Sequence, residues 1–322
     1  MKKKIAPLLR VAFSLGLIAL LYRKVDLHDL RDVFSHASLF WIACIFALQM
    51  ANTGLNAFKW RQFLLADNID IQWHSLFGKY LVAGFFSMFL PSNIGGDAYR
   101  VYAVAKKGSG AARSFASVLA DRLTGFMAVV ILGFVFCVIA RKSLPNQLVL
   151  LIPGGAFVAL GTAIAMLLEQ SIARKMIDWP IFNRLPKLQK FGHDMLDSVL
   201  QYRRSPSLFF RALGISFVFQ FNMIVCVFML SRALHFAVPF HYFCMYVPVV
   251  TLFEALPISI NGIGVRDALY VYFYGGAGLE KHEALSLAIA FVVTNFIYSL
   301  SGGLIFVFRH NRQREFQSLE KA

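Results

Sequence analysis

Leu90-Pro-Ser-Asn-Ile-Gly-Gly-Asp97 interrupts one apolar run, and Leu256-Pro-Ile-Ser-Ile-Asn-Gly-Ile-Gly264 interrupts another. A short helix-like stretch follows each break, at 94–105 and 265–275, too short to cross a bilayer. In both, an arginine follows the proline by nine residues: Pro91 to Arg100 and Pro257 to Arg266. Irregular backbone at bilayer depth persists only where protein or water satisfies its amides and carbonyls. Two such breaks therefore predict two re-entrant hairpins lining a cavity.

The rest of the sequence sets the environment of these breaks. Of 322 residues, 58% are hydrophobic and 15% are charged, with a mean hydropathy of +0.62. A soluble domain carries about 25% charge, so a water-soluble enzyme or nucleic-acid binder is excluded. Apolar segments fall near 5–22, 39–57, 75–91, 115–140, 148–168, 207–230, 241–260 and 284–308. The fold class expected is all-α, a polytopic membrane protein of about eight hydrophobic segments. Met1-Lys-Lys-Lys followed by an apolar run to Tyr22 lacks a small-x-small cleavage site, so it reads as an uncleaved first span.

The net charge of +15 sits at the ends of apolar runs, where Lys and Arg fix topology. With a cytoplasmic N-terminus, a hairpin at 75–107 entering from the cytoplasm and one at 241–275 entering from the far side, 20 of the 32 Lys and Arg fall inside and 7 outside. A full crossing at 75–91 would instead place Lys106, Lys107 and Arg113 outside. The order of span, broken hairpin, span then occurs twice as an inverted repeat. The chain divides into a first span and loop (1–38), repeat 1 (39–140), a linking span and cytoplasmic amphipathic segment (141–206), repeat 2 (207–308) and a basic cytoplasmic tail (309–322). Within the linker, Leu188, Phe191, Met195, Val199 and Tyr202 recur at helical spacing, as in an interfacial helix.

Charged side chains at bilayer depth cost about 2.5–3.5 kcal/mol each on an insertion scale, which makes them site candidates. Asp97, Arg100, Asp121, Arg122, Glu254, Arg266 and Asp267 qualify. Asp97 and Arg100 are three apart and can pair on one helix face. Asp121 lies on a small and polar stripe with Ser117 and Gly125, which predicts an interior face. Gly95 and Gly96 open one short helix, and Asn261, Gly262 and Gly264 open the other. A helix N-terminus offers unpaired amides and partial positive charge, and glycine lets a phosphate approach closely. Arginine suits phosphate because its fork can bind two oxygens. These features predict a substrate site for an anionic headgroup, with an intramembrane ion-pair network as the purely structural alternative.

Other positions support a polar interior. Gln49, Asn52, Thr53 and Asn56 share one helix face, as do Asn295, Ser299 and Gly302, and Ser216 with Gln220. Such stripes join helices or line a path. Cys44, Cys137, Cys226 and Cys244 lack metal-ligand spacing and read as small buried hydrophobes. No His-Glu-x-x-His, Gly-x-Ser-x-Gly, acidic magnesium motif or phosphate-loop signature occurs. No metal, cofactor or catalytic residue is expected.

The stretches FLPSNIGGDAYRVYAVAKKGSGAARSFASVLADRLTG and EALPISINGIGVRDALYVYFYGGAGLEKHEALSLAIAFVVTNFIYSLSGG resemble the membrane region of lysylphosphatidylglycerol synthases, a flippase-like family. The likeness runs from Met1 to about Phe308. It rests on Pro91 with Gly95, Gly96, Asp97 and Arg100, then Asp121-Arg122, then Glu254 with Pro257, Gly262, Gly264 and Arg266. The resemblance implies a bacterial or archaeal membrane protein related to the lipid-translocating half of aminoacyl-phosphatidylglycerol proteins. Those proteins also carry a soluble aminoacyl-transferring domain, which this sequence lacks, so the function implied is moving a lipid rather than making one. Asp121 and Asp267 stand where the family more often has Glu, keeping charge at shorter reach.

The function expected is therefore a flippase for a phosphate-containing lipid, in a bacterial inner membrane with both termini cytoplasmic. The partners expected are lipids with anionic headgroups and no nucleic acid. A second copy of the chain or a lipid-synthesis partner stays open. Two other readings stay open as well: an integral-membrane enzyme modifying a lipid headgroup, and a non-transporting partner of a synthase or glycosyltransferase.

Overall fold

A computed structural model describes residues 33–89, 94–106, 110–169, 174–175, 177–178, 186–256 and 262–319. The predicted first span, Pro91, Pro257 and Asn261 lie outside these residues. Repeat 1 comprises α1 (Leu39–Ala66), α2 (Trp73–Phe89), α3 (Ile94–Val104) and α4 (Ala111–Ile139). The linker carries α5 (Leu151–Leu168) and α6 (Pro186–Arg203). Repeat 2 comprises α7 (Pro206–Ala233), α8 (Phe240–Ala255), α9 (Val265–Gly275) and α10 (Lys281–Leu319). Among the described residues there is no strand.

Helices α1, α4, α7 and α10 as far as Phe308 each supply 28 or 29 mainly apolar residues. At 1.5 Å per residue that exceeds the hydrocarbon thickness of about 30 Å. The protein is an all-α polytopic membrane protein. Two boundaries differ from expectation. Helix α1 continues past 57 to Ala66, because Lys59 is neutralised inside the protein rather than exposed at a headgroup. Helix α10 runs through most of the predicted basic tail, to Leu319.

Helices α1 and α7 run antiparallel. The Ser38 amide donates to the Ala233 carbonyl (2.8 Å), Asn222 Nδ2 to Asn52 Oδ1 (2.9 Å), and Lys59 Nζ to Ser216 Oγ (3.0 Å). Residues 38, 52 and 59 thus meet 233, 222 and 216. The packing is reciprocal. Each short helix lies on the closing helix of its own repeat (α3 on α4, α9 on α10), and each long hairpin arm lies on the closing helix of the other (α8 on α4, α2 on α10). Both of the latter crossings are made at glycine. A Cβ on Gly302 would stand 2.0 Å from the Leu81 carbonyl oxygen, and one on Gly133 would stand 3.2 Å from Pro248. Small residues let helix backbones approach in this way.

The main apolar core lies in repeat 2, around Phe243, Tyr246, Phe273 and Tyr274. A smaller one surrounds Trp60, Leu64 and Leu76 beside α3. Helix α6 packs across the end of α1, α4 and α7 through Tyr202, which meets Phe63, Ala116 and Ala212. Its buried stripe centres on Leu196 and Leu200, one residue on from the expected Met195 and Val199, and Leu188 is exposed. Cys137, Cys226 and Cys244 are buried free thiols, and Cys44 is half-buried.

Candidate functional site

Two adjoining cavities, of about 410 and 390 Å³, open between the repeats. They share Asn56, Tyr80, Arg100, Arg122, Glu254 and Phe291 as walls, so they form one two-lobed space. Asp97 and Arg266 face the first lobe, and Lys59 and Asp121 the second. Elements from both halves of the chain meet here, which explains why residues as distant as 59 and 254 share a wall.

The short helix α3 delivers Arg100 into a buried position. Arg100 is 2% exposed, and its guanidinium lies over the Trp60 and Tyr80 rings, 4.3 and 4.2 Å from their centroids. Cation–π contact with desolvated rings favours the charge there. Nη2 donates to Asp121 Oδ2 at 2.7 Å, and Nη1 donates to Asp97 Oδ1 at 3.3 Å. Asp121 is the common counter-ion. It also accepts from the Tyr80 hydroxyl at 2.5 Å and pairs with Lys59 Nζ at 3.0 Å. Lys59 further donates to the Asp121 carbonyl at 3.1 Å. Buried charges persist only when paired and hydrogen-bonded in this way.

Asp97 has a stronger partner than its helix neighbour. Arg122 Nε and Nη2 donate to Asp97 Oδ2 and Oδ1 at 2.8 and 3.1 Å, a two-point fork. The pairs therefore cross between α3 and α4: 97 with 122, and 100 with 121. Arg122 is the accessible member, 41% exposed. In repeat 2, Arg266 Nε donates to Glu254 Oε1, and the guanidinium lies 4.7 Å from the Phe291 centroid.

The glycines answer to the backbone. A Cβ on Gly96 would meet Ser87 Oγ at 2.2 Å and the Ala83 carbonyl oxygen at 2.5 Å, so this glycine lets α3 lie on α2. Gly96 also borders the first lobe, whereas Gly95, half-buried beside it at the start of α3, does not. Gly262 and Gly264 hold φ of +76° and +83°, a region that side chains disfavour. Asp267 turns back to accept from the Gly264 amide at 3.1 Å, capping α9 rather than bordering either lobe. The geometry thus brings Asp97, Arg100, Asp121, Arg122, Glu254 and Arg266 together, and sets Asp267 and Gly264 behind them.

Lys59, Trp60 and Tyr80 are site residues that the sequence reading passes over. Lys59 had a signal: it continues the stripe of Gln49, Asn52 and Asn56 at helical spacing. That stripe both joins helices and lines the first lobe. Gln49 Nε2 donates to Asn295 Oδ1 at 3.3 Å, the Thr53 and Tyr298 hydroxyls share a 2.5 Å hydrogen bond, and all four side chains face the cavity. On α4, Ser117 Oγ accepts from Trp60 Nε1 at 3.1 Å, and the Gly125 carbonyl accepts from Gln220 at 3.3 Å. No cluster of three or more His, Cys, Asp or Glu fit to hold a metal occurs among the described residues.

A comparison with curated proteins gives no match. A family model, described as the lysylphosphatidylglycerol synthase TM region, matches residues 8–302. That range takes in most of the chain and every cavity residue named above, so the chain belongs to the family of lysylphosphatidylglycerol synthase transmembrane regions.

Proposed function

We propose that the protein moves a lipid with a phosphate-bearing headgroup between leaflets, holding the headgroup in the two-lobed cavity while the tails stay in the bilayer. The observation that carries this reading is the cavity itself. It is a space whose largely apolar walls carry a cluster of charged groups, with Lys59, Arg100, Arg122 and Arg266 facing Asp97, Asp121 and Glu254. Four cations against three carboxylates leave one positive charge in excess among the described lining residues, suited to one anionic group. Broken helices at a repeat interface are where membrane transporters bind their cargo, and rocking of one repeat against the other exposes such a site to alternate sides. The host membrane in this reading is a bacterial inner membrane, with both termini cytoplasmic.

The roles divide by accessibility. Arg100 is clamped by two rings and two carboxylates, so it organises the site. Arg122 is free enough to exchange Asp97 for a phosphate oxygen, and Arg266 faces the same lobe. The reading involves no covalent step and no catalytic residue.

The test is leaflet-to-leaflet movement of phosphatidylglycerol in proteoliposomes, comparing the native chain with Arg122→Gln/Arg266→Gln. Movement at least about ten-fold faster than in protein-free vesicles, and lost in the double variant, is expected. Equal movement in a folded double variant would overturn the assignment. Chemical conversion of the lipid, detected by mass spectrometry, would favour an enzyme.

A further inference from the structure

A further opening lies on the outer side of the helix pair α1 and α7, and it shares no lining residue with either cavity lobe. It is a groove of about 310 Å³, with Leu55, Phe58 and Gln62 on one wall and Arg211, Gly214, Ile215 and Val218 on the other. At about 100° per residue, its α1 wall sits about 120° round the helix from the cavity-facing stripe of Gln49, Asn52 and Asn56. The groove therefore faces away from the cavity, toward the bilayer.

Along its length the groove is amphiphilic. The two helices are antiparallel and Lys59 meets Ser216, so Gln62 and Arg211 share one end, and Leu55 and Val218 the other. Positions 55–62 and 211–218 each span about 10 Å, roughly two-thirds of the hydrocarbon depth of one leaflet. Helix α7 has 28 residues, so its length of about 42 Å outruns a hydrocarbon core of about 30 Å. Arg211, the sixth residue of that helix, thus sits at the hydrocarbon edge, where its long side chain can reach the headgroup layer. Gly214 leaves the floor open, since a Cβ there would meet nothing within 4 Å.

Charge decides between a lipid and a second copy of the chain. Arg211 is exposed and is the one charged group lining the groove. Among the described residues, neither it nor Gln62 has a hydrogen-bond or ion-pair partner. A guanidinium beside an apolar trough offers a phosphate both charge and a fork of donors, and the Gln62 amide adds another donor. No carboxylate lines the groove to hold the ammonium of a zwitterionic lipid. A second copy brings no counter-charge to this depth, because Asp97, Asp121, Glu254 and Asp267 are all engaged inside the protein.

We infer that this groove holds one resident anionic phospholipid, its phosphate on Arg211 and Gln62 and an acyl chain along Phe58, Ile215, Leu55 and Val218. The site is separate from the cavity and does not depend on what the cavity carries.

Phe58 is exposed on one wall, so Phe58→Trp in the full chain places a reporter in the groove. In reconstituted vesicles, its quenching by phospholipids brominated on the acyl chains reads occupancy, after subtraction of the signal from the four tryptophans of the native chain. The probes are brominated phosphatidylglycerol and brominated phosphatidylcholine. One arginine at a membrane surface favours an anionic lipid by about five-fold, so phosphatidylglycerol should bind about five-fold more strongly. Arg211→Gln should bring that ratio to about one, and Gly214→Leu, which fills the floor, should do the same. Equal binding of the two lipids beside an intact Arg211, or a five-fold preference that survives Arg211→Gln, would overturn the site. A dimeric chain whose reporter neither lipid quenches would give the groove to a second copy and overturn it as well. Should Phe58→Trp fail to fold, Val218→Trp on the opposite, equally exposed wall reads the same ratio.

Discussion

Asp121→Asn removes the charge on which Lys59, Arg100 and the Tyr80 hydroxyl converge, at nearly unchanged side-chain size. Arg100 would keep Asp97 at 3.3 Å. Lys59 would keep the carbonyl of residue 121 and Ser216 as acceptors, but the counter-ion 3.0 Å away would be gone. Removing one partner of a buried pair costs about 3–5 kcal/mol, most of it the penalty of the charge left behind. At about 2 °C per kcal/mol for a chain of this size, the Tm in detergent should fall by about 6–10 °C. Removing Lys59 as well should relieve part of that cost, since the orphaned ammonium is then absent. The Lys59→Met/Asp121→Asn double variant should therefore be more stable than the sum of the two singles predicts, by about 1–3 kcal/mol, the range seen for residues in one network. Thermal unfolding followed by tryptophan fluorescence measures all three. Strict additivity, or an Asp121→Asn shift below about 2 °C, would refute Asp121 as the common counter-ion of the cluster.

Gly302→Ala places a Cβ 2.0 Å from the Leu81 carbonyl oxygen and should lower the Tm by separating α10 from α2. Gly155→Ala on α5, where nothing lies within 4 Å, should instead raise it by about 2 °C through helix propensity of about 1 kcal/mol; equal signs in the two melts would contradict the glycine crossing. Asp267→Ala removes the cap on the Gly264 amide, about 1 kcal/mol, so a Tm drop of about 2 °C with lipid movement retained is expected, and abolished movement at full stability would make Asp267 a binding residue. Outside the spans, burial raises the Asp67 carboxyl above its ordinary 3.8, against the lowering effect of the Tyr202 hydroxyl. A carboxyl that holds its proton more tightly when folded loses stability as pH rises through its folded value. The docking of α6 should therefore loosen as pH climbs above 3.8, and over a higher range in Tyr202→Phe, as read by hydrogen exchange of the α6 amides; tighter docking at higher pH would contradict it.

The short helices after the two breaks were legible because proline and glycine limit how far an apolar run stays helical. Residues 265–275 form α9 with the expected bounds, and 94–105 forms α3 within one residue. Charges were legible as candidates but not as pairs. The spacing of Asp97 and Arg100 suggests each other as partners, yet Asp97 is held by the fork of Arg122 and Arg100 by Asp121. Sequence spacing ranks partners on one helix and says nothing of the helix that will lie across it. Lys59 was hidden by a different effect. Hydropathy ends a span at the first strong charge, whereas the helical period of Gln49, Asn52 and Asn56 carries straight on through position 59. Period is set by backbone geometry and survives a charge; hydropathy presumes that a charge faces water, which fails when Asp121 waits inside.

Glycine marks the remaining limit. Gly96 and Gly262 look alike in sequence, each beside a break and each before an arginine. The structure gives them different demands: Gly96 must clear Ala83 and Ser87 of the neighbouring helix, while Gly262 must hold a φ of +76° between Glu254 and Arg266. A glycine required by a close phosphate would read the same as either. What separates the three cases is the atom that a Cβ would strike, and that atom belongs to another part of the chain. The phosphate assignment therefore stands on the accessible Arg122 fork and the charge excess of the cavity, which a lipid-binding measurement reaches directly, and not on the glycines that first drew attention to it.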